Sequence, residues 1–128
     1  MGPRRSKKIS SKKGFNVEIN SEVKFGDNDL KKAYLELANG KFEEKQLKEW
    51  LDRAVEDLRK NAFSGIQVPK RLIPKEYHAK YGSLSNLWKY NLPNAWRLIY
   101  TIKRDEVVVL SIVLEWMTHK DYENRFGY

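Results

Sequence analysis

From Phe15 to Phe25 apolar and polar residues alternate: Phe15, Val17, Ile19, Val23 and Phe25 share one face, while Asn16, Glu18, Asn20, Glu22 and Lys24 share the other. A period of two held over this span predicts a half-buried strand. Gly26 ends it, and Asp27, Asn28 or Asp29 can cap a following helix by accepting its free N–H groups. Leu30, Ala33, Tyr34 and Leu37 then recur at helical spacing until Asn39-Gly40 stops the run. A second helix is expected from about Phe42 to Asn61, burying Leu47, Trp50, Leu51, Ala54 and Leu58 beneath a Glu/Lys outer face. The two helices form a hairpin that should lie on a sheet.

Beyond it the pattern changes. Gly65, Pro69 and Pro74 predict an ordered loop from Phe63 to Lys75, and Pro74 opens a short helix that Gly82 closes. Leu87 to Leu92 and Trp96 to Ile102 read as strands joined by Pro93-Asn94-Ala95 into a hairpin. After a turn at Lys103 to Asp105, Val107 to Leu114 is almost continuously apolar, as in a central strand covered on both faces. Thr118 can cap a terminal helix, with Asp121 three residues on. Strand, two helices, three strands linked by short turns and a closing helix make an α+β domain with an antiparallel-rich sheet.

Charge locates the chemistry. The net charge of +8 is concentrated in two places. Residues 1–13 hold Arg4, Arg5, Lys7, Lys8, Lys12 and Lys13 without an acid, and residues 61–104 hold eight bases against Glu76 alone. Such segregation points to a polyanionic partner. Residues 1–14 offer little to bury and are expected to be a disordered basic tail, ahead of one folded domain over 15–128. The absence of cysteine removes disulfides, thiolate zinc sites and cysteine nucleophiles, and His78 and His119 are too few for a histidine-rich metal centre. No metal or other cofactor is therefore expected. No run reaches the roughly 18 apolar residues of a membrane span, and the N-terminus lacks the apolar segment of a secretory signal, so a cytoplasmic protein is expected.

Specific runs carry a family resemblance. Trp96-Arg97-Leu98-Ile99-Tyr100, preceded by Leu87-Trp88-Lys89-Tyr90-Asn91-Leu92 and followed by Val107-Val108-Val109-Leu110-Ser111-Ile112, resembles the hairpin and last strand of the RelE/ParE superfamily of toxins. Thr118-His119-Lys120-Asp121-Tyr122-Glu123 is similar to the His-x-x-Tyr ending of the HigB-like branch, and Arg125-Phe126-Gly127-Tyr128 resembles an archaeal branch. The layout matches over about residues 15–128 and the motifs over 87–125. The resemblance implies a RelE-like βααβββα fold and a toxin of a type II toxin–antitoxin system that cuts mRNA in the ribosomal decoding site. Its partners would be mRNA, the ribosome and a cognate antitoxin. Carried over by residue, it makes Arg97 the phosphate-stabilising arginine, Lys89 a strand lysine on the RNA backbone, and His119 and Tyr122 the groups that assist proton transfer. Asn91 stands where a second strand lysine is expected, and Glu115-Trp116-Met117 replaces a further arginine.

The chemistry of such a reaction explains these residue types. Metal-free RNA cleavage uses the ribose 2′-hydroxyl as nucleophile, and needs a base, a proton donor to the leaving oxygen and cations on the phosphoryl oxygens. Strand alternation should put Lys89 and Arg97 on one basic face, with Trp88, Tyr90, Leu92, Trp96, Leu98 and Tyr100 on the opposite, aromatic face. His119 and Tyr122, three apart on a helix, can project together, and an imidazole changes protonation near neutral pH. Lys70, Arg71 and Lys75 flank prolines where they could hold phosphate or stay merely solvated, and Lys120 joins Asn91 as a candidate RNA contact. His78 is expected to be structural, and Trp50 and Trp88 to belong to the core. Two alternatives share the fold: a non-cleaving RNA- or ribosome-binding module, and a ParE-like inhibitor of DNA gyrase.

Overall fold

The computed structural model describes residues 18–105 and 108–127. The expected tail, the first residues of the first strand, Val107 and Tyr128 lie outside the described residues. In chain order the elements are β1 (Glu22–Phe25), α1 (Asn28–Glu36), α2 (Phe42–Lys60), β2 (Ile66–Gln67), α3 (Lys75–Tyr81), β3 (Trp88–Leu92), β4 (Trp96–Arg104), β5 (Val109–Thr118) and α4 (His119–Phe126). This is the α+β, RelE-like order that the resemblance implies, with the short strand β2 added. The five described strands form one sheet in the order β1-β5-β4-β3-β2. Every neighbouring pair is antiparallel except β1 and β5, which are parallel, with Glu22 opposite Leu110 and Phe25 opposite Val113.

Local chemistry sets most of the boundaries. Asp27 caps α1, its carboxylate accepting the Leu30 N–H at 2.7 Å. In α2 Glu44 reaches back to the Lys41 N–H at 2.9 Å. Pro74 precedes α3, and Gly82 ends it with φ of 81°, a left-handed value that favours glycine. Thr118 caps α4 by accepting the Asp121 N–H at 3.2 Å, and Gly127 closes it in the left-handed region.

Two apolar clusters hold the sheet, one on each face. On the first, α2 buries Leu47, Leu51, Ala54 and Leu58 against Leu92, Leu98, Tyr100 and Val113. On the second, α3, α4 and the loop before α3 bring Tyr77, Tyr122, Phe126, Val68 and Ile73 onto Leu87, Ile99, Leu114 and Met117. The sheet is thus covered twice, which accounts for the apolar run in β5.

Several details differ from expectation. The last strand continues through Glu115-Trp116-Met117 to Thr118, because these residues keep pairing with Trp96 to Ile99 of β4. The face carrying Lys89 and Arg97 is not an open basic face: Ile99 and Met117 are buried on it beneath α4. Trp50 is half-buried at the margin of the first cluster, as are Trp88, Leu30, Tyr34 and Leu37, while Ala33 is exposed. The loop predicted from Phe63 to Lys75 includes β2, which pairs with Trp88 and Lys89.

Tyr100 ties that loop to the sheet. Its hydroxyl donates to the Ala62 carbonyl at 2.8 Å and accepts the Gly65 N–H at 3.0 Å. Glycine is required at 65 because a Cβ would lie 2.5 Å from the Lys89 carbonyl oxygen and 2.7 Å from the Tyr100 hydroxyl. Burial, more than any other influence, pushes the Tyr100 phenol up to about 12. Tyr100→Phe should therefore destabilise the fold by about 1–3 kcal/mol, by leaving the buried Ala62 carbonyl and the half-buried Gly65 N–H without this partner. The sign with pH follows from the raised value. An unfolded phenol ionises near 10, so stability intact below about pH 10 is lost as pH rises toward about 12. Denaturant titrations at about pH 9 and about pH 11 should show a shallower fall for Tyr100→Phe than for the native chain. An equal fall in both would remove Tyr100 from the alkaline transition.

Candidate functional site

Antiparallel register builds the site on the second face of the sheet. Asn91 on β3 lies opposite Arg97 on β4, which lies opposite Met117 on β5, and Lys89 lies opposite Ile99. Residues facing each other across a ladder project to the same side, so Lys89, Asn91 and Arg97 share a face. The end of β5 then brings His119, the first residue of α4, to the same side.

Arg97 is half-buried, and its guanidinium is held in place. One Nη donates to its neighbour's carbonyl, Trp96 O, at 3.0 Å, and the other lies 2.9 Å from His119 Nδ1. Its Nε is buried with no hydrogen-bond partner among the described residues. Because a guanidinium only donates, Nδ1 must carry the lone pair, which assigns the imidazole proton to Nε2. That nitrogen is 3.4 Å from Glu123 Oε2, one turn along α4. Arg97, His119 and Glu123 therefore form a directed chain, with an imidazole 43% exposed at its centre. Protonation at Nδ1 would set two donors against each other and open the Arg97 contact, while strengthening the pairing with Glu123.

The remaining candidates divide by position. Lys89 Nζ sits 4.9 Å from the centroid of the Tyr122 ring, a cation–π contact. Tyr122 itself is fully buried and stacks on Phe126 at 4.3 Å between centroids. As placed, it supports Lys89 and anchors α4. Asn91 and Lys120 are exposed, the latter in the first turn of α4. Lys70 and Arg71 are exposed in a 3-10 turn and Lys75 begins α3, elements apart from the Arg97–His119 pair. His78 has the structural role expected of it, accepting the Leu84 N–H at 3.1 Å to shape the loop into β3.

Two features escape a reading by residue type. Glu123 was one carboxylate among many until α4 placed it on His119. Glu115, noted only as standing where an arginine was expected, organises a network: it accepts from the Tyr77 hydroxyl at 2.5 Å and from Arg125 Nη1 at 2.7 and 2.8 Å. Burial and then this hydrogen bond raise the Tyr77 phenol far above its ordinary range. The helical spacing of Glu123 from His119 could have flagged it, whereas no local pattern links Tyr77 to Glu115. Among the described residues no group of three or more His, Asp or Glu side chains is arranged to hold a metal, and no helix is long and apolar enough to cross a membrane.

The family model described as the ParE toxin of the type II toxin–antitoxin system, parDE, matches residues 27–114. No curated protein and no solved structure matches the chain.

Long-range proton–nitrogen spectra of the imidazoles test the directed chain. The His119 proton is expected on Nε2, and Arg97→Ala or Glu123→Gln should move the population toward a mixture of tautomers. An Nδ1–H form in the native protein would contradict the assignment.

Proposed function

The chain belongs to the ParE toxin family of type II toxin–antitoxin systems, in the RelE/ParE superfamily, and from that premise we propose that it arrests translation by cutting mRNA on the ribosome. Membership makes it a toxin with a cognate antitoxin as partner. The observation that carries the finer reading is the Arg97–His119 contact at 2.9 Å, which puts a phosphate-binding cation beside a partly exposed imidazole.

In this reading the guanidinium, held through two of its donors, turns others toward the phosphoryl oxygens as charge builds there. His119, neutral with Nδ1 as acceptor, takes the proton of the 2′-hydroxyl when the substrate displaces its contact with Arg97. Glu123 stabilises the imidazolium that results and keeps the ring oriented, and as the bond from phosphorus to the 5′-oxygen breaks the imidazolium gives its proton to that leaving oxygen. Lys89, supported by the Tyr122 ring, attracts the adjacent phosphate, and Asn91 donates where the family carries a second lysine. Lys120, Lys70, Arg71 and Lys75 add positive charge along the path of the strand, in a cytoplasmic complex with mRNA and ribosome. Tyr122 acts here by positioning, since its ring is buried.

Inhibition of DNA gyrase is the second reading. It is favoured by the family description, which names parDE, and by the occupied donors of Arg97, since binding gyrase requires no free catalytic group.

Primer extension on mRNA in translating extracts separates the two. Codon-spaced cuts that require ribosomes are expected from the native protein, with a drop of about 10²–10³-fold in Arg97→Ala and His119→Ala. Intact mRNA together with gyrase-dependent DNA breaks would replace this reading with the second.

A further inference from the structure

Across the hairpin edge from the Arg97–His119 pair, a cavity of about 590 Å³ opens between α2 and β3. Trp50 and Tyr90, both half-buried, supply its aromatic walls, and the buried Leu92 an apolar surface. Its polar groups are unevenly committed. Asp52 is already engaged by Lys48 at 3.0 Å and by the Tyr34 hydroxyl. Glu49 and Arg53, one turn apart on α2, also line the cavity, and no hydrogen bond or ion pair engages either among the described residues. The Tyr90 hydroxyl donates to Asp57, which holds its ring in place. Asn91, also in the lining, stands opposite Arg97 in the β3–β4 ladder at the edge of the sheet, so the cavity, on the α2 face, is reached from the guanidinium on the other face by passing round β3.

We propose that this cavity is a nucleobase subsite selective for guanine, receiving a base of the RNA strand where it passes round the edge of β3 from Arg97. The inference rests on the RNA-cleaving reading above and names the part of the substrate that reading left open. Aromatic walls suit any base, because every base presents a π face. The carboxylate of Glu49 makes the selection. It is acceptor-only, so it repels phosphate, and it fits an edge with two adjacent N–H donors. Guanine presents such an edge at N1 and N2. Adenine and cytosine place an acceptor beside their amino group, and uracil offers one N–H between two carbonyls, so each would set an oxygen or nitrogen lone pair against the carboxylate. Arg53 then faces the negative charge of the nucleotide's own phosphate.

Two measurements test this on the full chain. The first is titration with the four nucleoside monophosphates while following the Trp50 indole N–H resonance, assigned through Trp50→Phe. GMP should shift that resonance and bind at least about tenfold tighter than AMP, CMP or UMP, and Glu49→Gln should erase the preference. The second is the map of mRNA cuts in translating extracts. Cuts by the native protein should cluster at guanine-containing positions, and those by Glu49→Gln should lose that bias while remaining frequent. Failure of GMP to shift the resonance, or equal binding of all four nucleotides, overturns the subsite. Abundant cuts without a guanine bias, unchanged in Glu49→Gln, overturn it while leaving the nuclease reading in place. GMP-selective binding with intact mRNA supports the subsite and removes the nuclease reading instead.

Discussion

Opposite Ile99 and Tyr100 of β4, the last strand carries one residue more than its partner, and the chemistry of the second sheet face depends on that insertion. Ile99 pairs with Glu115 and Tyr100 with Val113, leaving Leu114 as the extra residue of a β-bulge. Before the bulge, Ser111 and Val113 face the α2 side; after it, Trp116 and Thr118 do. The change of phase sends Glu115 and Met117 to the side that Leu114 and Arg97 already occupy, and it starts α4 there with His119. The Leu114 carbonyl accepts from the Tyr81 hydroxyl at 3.0 Å, so α3 supplies a partner for a strand group at the irregularity.

The same insertion explains why the toxin's charged face is also a packed one. With α4 returning across the sheet, Tyr122 and Phe126 close an apolar cluster over Ile99 and Met117, and Arg125 grips Glu115 from the far end of the helix. Arg97 and His119 sit at the near end of this cover. A guanidinium with a buried Nε is held more rigidly than one on an open strand, which suits a group meant to meet a phosphate in fixed geometry. Positioning and stability therefore draw on the same contacts, and a substitution in α4 would disturb both.

Much of this organisation was legible in the chain. Alternation located the first strand and the hairpin, helical spacing found α1, α2 and the cluster under α2, and Asp27, Thr118 and Gly82 marked their boundaries by capping chemistry. The Trp96-Arg97-Leu98-Ile99-Tyr100 run pointed to the superfamily that the family match supports. The end of the last strand was missed because Glu115 interrupts its apolar run. Only pairing with β4 makes a carboxylate acceptable there, where Tyr77 and Arg125 satisfy it.

The sequence by itself determined the helices, the hairpin and most of the strands, their order, the covered central strand and the segregation of positive charge, since each depends on neighbours within a few residues. Tertiary structure alone decided which of the charged residues act together. Arg97 meets His119 across 22 positions, and Tyr77 meets Glu115 across 38. Those meetings depend on strand register and on the phase change at Leu114. A one-residue shift moves every later side chain to the other face, and the register becomes fixed only once both faces of the sheet have found their cores.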